Sequence, residues 1–501
     1  MLLSLLACAA GDGGLDSEPS TTCRPDRAPA PQLVDVAADL GLQGPLARNM
    51  GISVEDMDGD GDPDVLRADG GHGVRWFDND AGRFTPRPFT TSPRTVSAVL
   101  PVDWDGDGDL DLHLSCGSMG EGCADALLRN EGGDFVHDGS LPSTDHVHFS
   151  GAWADFDGDG DLDLFQPCMV PPPAEGLCVD HLYRNEDGAM VDAADEVGLH
   201  LPGPSIRGLW LDVNADGWQD LFVVSLTSDN RLFINDGGLF DEVELNVTTP
   251  DQGFSGAIWD LNRDGHIDLV VSGRTDPDTV ARHAVLLGDG AGGFIDVADE
   301  TGINDGDGIL TMGFSIGDIN HDGQAEVFFG NGSPDAGAVN LWGSLEMHDG
   351  QLTWVDRTEQ IDVPPDGLGG YPYRSHGSVL ADLDLDGVPE LLIGNGGGEA
   401  LEPHRVFRNV APVGAAVTVE LTGRAPNTRA VGARVRVSDD DWLLERQVLP
   451  DVGFNGHVGM PWTFGTGECQ GPYTVTVWWP DGTRTETSAR AGDRLVLEQP
   501  G

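Results

Sequence analysis

The sequence predicts an all-β protein: a seven-bladed β-propeller followed by a small β-sandwich-like domain. Three observations carry that expectation. One acidic nine-residue segment recurs seven times, with starts 47 to 64 residues apart. Short apolar runs of strand character flank the copies, and the copies stop before Pro412, where alternating segments of another kind begin.

The copies read DMDGDGDPD, DWDGDGDLD, DFDGDGDLD, DVNADGWQD, DLNRDGHID, DINHDGQAE and DLDLDGVPE. Positions 1, 3, 5 and 9 always carry a side-chain oxygen. In the first three copies these are Asp56, Asp58, Asp60 and Asp64; Asp103, Asp105, Asp107 and Asp111; and Asp155, Asp157, Asp159 and Asp163. The fourth and fifth supply Asp212, Asn214, Asp216 and Asp220, then Asp260, Asn262, Asp264 and Asp268. Asp318, Asn320, Asp322 and Glu326 form the sixth set, and Asp382, Asp384, Asp386 and Glu390 the seventh.

Calcium takes about six to eight hard oxygen ligands, and side chains at 1, 3 and 5 can converge on one ion. The invariant glycine at position 6 permits the sharp turn this needs, and the acid at position 9 closes the cage. Position 7 varies freely through Asp62, Asp109, Asp161, Trp218, His266, Gln324 and Val388. That tolerance fits a residue contributing only its backbone carbonyl, so the sequence predicts up to seven Ca2+ ions, one per blade. Solvated acidic turns without metal are the plainer alternative. An EF-hand does not fit, because position 12 is never Glu and no helices flank the loop.

The apolar run after each loop, such as LFVV from Leu221, and the one before it, such as GLWLD from Gly208, make the loop the turn of an antiparallel hairpin. Further strand-and-turn signals, LYRNEDG from Leu182 and LFINDGG from Leu232, bring each period to about four strands. Four-stranded units at this period are propeller blades, whose ring closure avoids exposed sheet edges.

Acids outnumber bases 85 to 27, for a formal charge of -58, and every base is arginine. Such a field repels nucleic acid. Without lysine, Walker A phosphate binding, pyridoxal Schiff bases and protein-kinase catalysis are excluded. Seven cysteines are present. Cys116 with Cys123, and Cys168 with Cys178, bracket short loops at a spacing that suits local disulfides; Cys23 and Cys469 are left over, and CxxC zinc spacing is absent. Leu5-Leu6-Ala7-Cys8 resembles the lipobox of bacterial lipoproteins, in which the cysteine is lipidated, though no basic residue precedes it. If Cys8 is lipidated, six cysteines remain for pairing in an oxidising compartment.

The loops resemble the FG-GAP and VCBS repeats, also found in integrin α-subunit propellers, where this loop binds calcium. DVAADLGLQ from Asp35, DAADEVGLH from Asp192 and DVADETGIN from Asp296 resemble the stretch that precedes the next blade in that family, and the first of them implies a full first blade. Beyond Pro412, AVGARVRV from Ala430, FGTG from Phe464 and VTVWWPDGT from Val475 resemble the ASPIC/UnbV domain that follows such propellers in the cartilage acidic protein family. Thr466 stands where that family has Leu. The expected division is therefore a signal and linker over 1–31, the propeller over 32–411 and the β domain over 412–501.

GFSIG from Gly313 matches a nucleophile elbow, but Ser315 lies on a pre-loop strand with no helix after it. His146, His148, His181, His376 and His404 read as ordinary polar or core histidines before they read as metal ligands. Trp153, Trp210 and Trp259 precede successive loops at near-equivalent positions and read as packing between blades. The expectation is a non-catalytic binding or adhesion scaffold, monomeric, secreted or in the cell envelope. Its partner would be an unidentified extracellular protein or glycan, with a membrane tether through Cys8. A calcium-dependent polysaccharide lyase or hydrolase and a purely structural envelope protein are the alternatives.

Overall fold

The computed structural model describes residues 27–501, except 44–48, 70–71, 91–94, 118–124, 143–146, 170–177, 200, 202, 227–228, 248, 250–252, 274–281, 306–310, 333–339, 362–373, 397–401, 450, 454 and 460. Cys8, Cys23, Cys123 and His146 lie outside the described residues. Strands dominate the fold, and the two α-helices among the described residues, Ala37–Leu40 and Ala298–Thr301, are single turns. No described helix is long and apolar enough to cross a membrane.

Seven sheets each carry one acidic loop, and the pairing repeats from sheet to sheet. The residue before position 1 pairs with the residue at position 9, as in Glu55 with Asp64, Val102 with Asp111 and Ala154 with Asp163. The same holds for Leu211 with Asp220, Trp259 with Asp268, Gly317 with Glu326 and Ala381 with Glu390. Each acidic loop is thus a hairpin turn, as its flanking apolar runs predict. Third and fourth strands continue the sheet outward, as Arg231–Asn235 and Phe240–Val243 do beyond Asp220–Ser225.

The architecture is propeller-like. Sheet faces pack on their neighbours through apolar clusters, such as Leu211, Phe222 and Leu232 of the fourth sheet with Leu269, Val271 and Leu286 of the fifth. The first strand of the first sheet lies against those of the second and the seventh. Leu33–Asp35 completes the seventh sheet by pairing with Arg405–Asn409. The first sheet is full, with four consecutive strands from Asn49–Glu55 to Arg83–Arg87, and the segment at Asp35 that precedes it closes the last sheet, a pairing between segments some 370 residues apart that local pattern does not encode.

The C-terminal residues form two sheets. Ala415–Thr422 lies between Trp462–Gly467 and Arg494–Glu498, and the second sheet runs Leu443–Gln447, Arg434–Ser438, Tyr473–Trp478, Arg484–Ala489. Alternating Val417, Val419, Val435, Val437, Val475 and Val477 close on Phe464 and Trp479 to make its core. Between the two sheets the chain makes an excursion into the larger unit. Gly456–Val458 pairs in parallel with Ile52–Val54, and Asn455, wholly buried, donates from Nδ2 to Ser97 O at 3.0 Å. Gly453, at φ 58°, packs so closely on Phe314 O that a Cβ would lie 1.7 Å from it. The excursion therefore touches the first, second and sixth sheets.

Candidate metal centres

Two hydrogen bonds hold every acidic loop in one shape. The amide of the position 6 glycine donates to the position 1 carboxylate: Gly61 to Asp56, Gly108 to Asp103, Gly160 to Asp155, Gly217 to Asp212, Gly265 to Asp260, Gly323 to Asp318 and Gly387 to Asp382. The amide of position 7 donates to the side chain of position 5 in all seven, from Asp62 to Asp60 at 2.9 Å through Val388 to Asp386 at 2.8 Å. The glycine at position 6 has φ between 72° and 100°, the left-handed region where a side chain is strained. Its invariance thus has a backbone cause.

The position 9 acid is the first residue of the returning strand in six sheets, which fixes it under the loop. One of its oxygens accepts from the third strand, as Asp64 Oδ1 does from Asn79 N at 2.9 Å and Asp220 Oδ1 from Asn235 N at 2.8 Å. In five sheets the other accepts the position 2 amide, as Asp268 Oδ2 does from Leu261 at 2.7 Å. At position 7, Asp62 Oδ2 accepts from Ala81 N and Asp161 Oδ2 from Asp187 N, outside their own loops.

Four loops bring three carboxylates to within 4.8 Å of one another: Asp56, Asp58 and Asp60; Asp103, Asp105 and Asp111; Asp155, Asp157 and Asp163; and Asp382, Asp384 and Glu390. The other three loops hold an Asn at position 3, with Asn214 Nδ2 donating to Asp216, Asn262 Nδ2 to Asp264 and Asn320 Nδ2 to Asp322. Arginines balance some of this charge from outside the loop. Arg184 sits 3.0 Å from Asp157, Arg408 2.6 Å from Asp384 and Arg129 3.1 Å from Asp105.

Oxygens remain that no donor reaches. Asp111 Oδ2, Asp157 Oδ1, Asp318 Oδ1, Asp382 Oδ1 and Asp384 Oδ1 are buried without a hydrogen-bond partner. Burial pushes the carboxyls up: Asp111 to about 8, Asp64, Asp155, Asp220, Asp268 and Glu390 to about 7, and Asp212 and Asp382 to about 6. Asp163, Asp260 and Glu326 also rise for the same reason. A buried carboxylate with an unused oxygen is costly unless a cation meets it, so these residues fit a hard divalent ion.

The remaining sequence candidates fall elsewhere. Ser315 is buried in the strand Thr311–Gly317, away from any helix start. His148 Nδ1 pairs with Asp125 at 2.7 Å, and His181 Nδ1 with Asp192 at 2.7 Å. His376 and His404 are buried and pushed down by desolvation. Trp153, Trp210 and Trp259 are buried between sheets and line a cavity of about 130 Å³ that Arg446 and Trp462 of the C-terminal domain help enclose. Cys168 and Cys178 form a disulfide, and Cys116 and Cys469 are also disulfide-bonded.

One set of functional residues escapes sequence reasoning. Asn79, Asn185, Asn235 and Asn409 donate from Nδ2 to the position 2 carbonyl of the preceding loop, namely Leu383, Trp104, Phe156 and Ile319. The bond from Asn79 to Leu383 joins the first sheet to the seventh. Their signal in the sequence is the recurring Asn of LYRN and LFIN, which by itself indicates only a turn.

Comparison with known proteins places these features in families. The profile of the FG-GAP-like repeat matches residues 56–114, 212–271 and 260–329, and that of ASPIC and UnbV matches residues 423–501. The chain carries FG-GAP-like repeats and an ASPIC and UnbV domain. It is similar to cartilage acidic protein 1 of Mus musculus and of Homo sapiens, 28% identical to each over 145 residues, or 26% of this chain. The match spans only 22% of those relatives' length. Among solved structures it is similar to BBS1N from a complex with ARL6DN, with TM-score 0.45 and 10% identity over 76% of this chain and 99% of that one. Saccharomyces cerevisiae Sqt1 gives TM-score 0.43 and 8% identity over 89% and 98%.

Proposed function

We propose that this chain is an extracellular, non-catalytic scaffold: a closed ring of seven blades, each stabilised by one calcium ion in its acidic loop. The observation that carries this is the set of buried carboxylate oxygens, on Asp111, Asp157, Asp318, Asp382 and Asp384, that no protein donor satisfies. Positions 1, 3, 5 and 9 and the position 7 carbonyl would hold the ion, which would neutralise carboxylates that burial otherwise protonates. FG-GAP repeats usually bind this ion, which favours calcium among divalent cations.

The disulfides point to an oxidising, extracellular compartment. The cavity that the first strands of several sheets line, about 130 Å³, is below the roughly 300 Å³ at which ligand pockets begin, and Gly456–Val458 pairs with Ile52–Val54 at its wall. Both favour recognition on outer surfaces, by an extracellular protein or glycan, over turnover of a polymer at the axis. Tethering through a lipidated Cys8 belongs to the same proposal. Equilibrium dialysis of the full chain against labelled calcium tests it: several ions per chain, up to seven, are expected, and none would overturn it.

A further inference from the structure

The sixth loop differs from the others in its surroundings. Position 5 is exposed in six loops, at Asp60, Asp107, Asp159, Asp216, Asp264 and Asp386, and buried in the sixth, at Asp322. Asp318, Asn320, Asp322 and Glu326 are each at most 5% exposed. Asp318 Oδ2 accepts from Gly323 N at 2.8 Å, while its Oδ1 is buried without a donor.

The cover comes largely from the C-terminal side of the chain. Gly414 N donates to Asn320 O at 2.7 Å, and Gly467 N to His321 O at 2.8 Å. Gly465 lies so close to the Asp318 carboxylate that a Cβ there would be 2.0 Å from Oδ2. This gives the Phe464–Gly467 segment, FGTG, a physical role that its sequence alone does not reveal. The neighbouring loops finish the seal: Arg263 Nη2 donates to Asp322 O at 2.7 Å, and His321 Nε2 to Gly387 O at 2.8 Å.

The same domain grips other loops at their first residue. Thr428 Oγ1 donates to Asp103 Oδ2, Glu445 N to Asp260 Oδ2 at 3.1 Å, and Asp212 N to Gln447 Oε1 at 3.0 Å, with Arg434 3.5 Å from Asp212. The domain is therefore seated on the ring of loops, and only at the sixth does it cover the loop completely.

We propose that the C-terminal domain is the lid of the sixth loop's cation site, so that a divalent ion held by Asp318, Asn320, Asp322 and Glu326 exchanges only when the domain lifts. This rests on the calcium reading of the loops. The ion beneath the lid must wait for several buried hydrogen bonds to open together, which slows its release by roughly a hundredfold or more relative to the exposed sites.

The test is a chelator chase of the full chain loaded with labelled calcium. Two phases are expected, with one slow ion per chain. Thr428→Val combined with Arg434→Gln loosens the lid far from the sixth loop and should speed the slow phase roughly tenfold or more, whereas Asp318→Asn should remove that phase and spare the fast ions. Release of every ion in one fast phase from the unaltered chain, or a slow phase that survives Asp318→Asn, would overturn the lid. Absence of bound calcium before the chase would instead overturn the metal reading beneath it.

Discussion

Asp111→Asn should stabilise the metal-free protein and destabilise the calcium-loaded one. Asp111 is fully buried, its Oδ1 accepts from Asn130 N at 2.7 Å, and its Oδ2 has no donor. Burial raises it from an ordinary 3.8 to about 8. That rise corresponds to an upper bound of about 5 kcal/mol held against the ionised form. Because the folded value exceeds the unfolded one, the folded state binds more protons between these limits, and metal-free stability falls as pH rises from about 4 through about 8. The amide keeps the shape and has no charge to bury. Chemical denaturation of metal-free protein at pH 8 should therefore show the variant more stable by ~2–4 kcal/mol, after allowance for the unpaired amide. At pH 5, where Asp111 is protonated in the fold, most of the gain should vanish. In saturating calcium the order should reverse, with one ion fewer bound. An equal loss of stability in all three conditions would refute the assignment, since it would mean that Asp111 serves only as an acceptor for Asn130.

Other outcomes follow from the same structure. Asn79→Ala removes donors to Pro63 O and Leu383 O and the acceptor of Gly82 N, and should cost ~2–4 kcal/mol in denaturant titration. Exposed Asn246→Ala should cost almost nothing. Replacing both Cys168 and Cys178 with Ser opens a crosslink across 10 residues of sequence and should lower stability by about 3 kcal/mol, read by the same titration. Across the whole chain, metal-free protein should melt at lower temperature as pH rises from 5 to 8, while calcium affinity rises over that range because ligation requires the carboxylates of Asp64, Asp155 and Glu390 ionised. Parallel scanning calorimetry and titration with calcium check both trends.

What the sequence made legible was local. The ligand pattern, the glycine turn and the two strands meeting at Glu55 and Asp64 all lie within nine or ten residues, so residue type and spacing suffice to find them. The domain pair was legible for the same reason, through FGTG and the WPDG turn. What stayed hidden depends on partners far apart in the chain. Asp103 meets Thr428 across 325 residues, and Leu33–Asp35 pairs with the strand at Arg405. Nothing in either segment announces the other. At position 7, Asp62 and Asp161 accept from Ala81 N and Asp187 N, partners beyond the loop that spacing within it does not reveal. Enclosure, greatest at the sixth loop, is set largely by the C-terminal domain, whose contacts the loop's own sequence does not reveal.

Metal content by mass spectrometry, joined to thermal melting of the same sample before and after chelation, tests the central claim most directly. Ligand linkage contributes about 2.7 kcal/mol per ion at a hundred times its dissociation constant, so several sites together rival the stability of a domain. Calcium at several ions per chain is expected, with a melt that drops by tens of degrees when they are removed at pH 8. Near-zero calcium in protein prepared with the ion present, with a melt that chelator leaves unchanged, would contradict it.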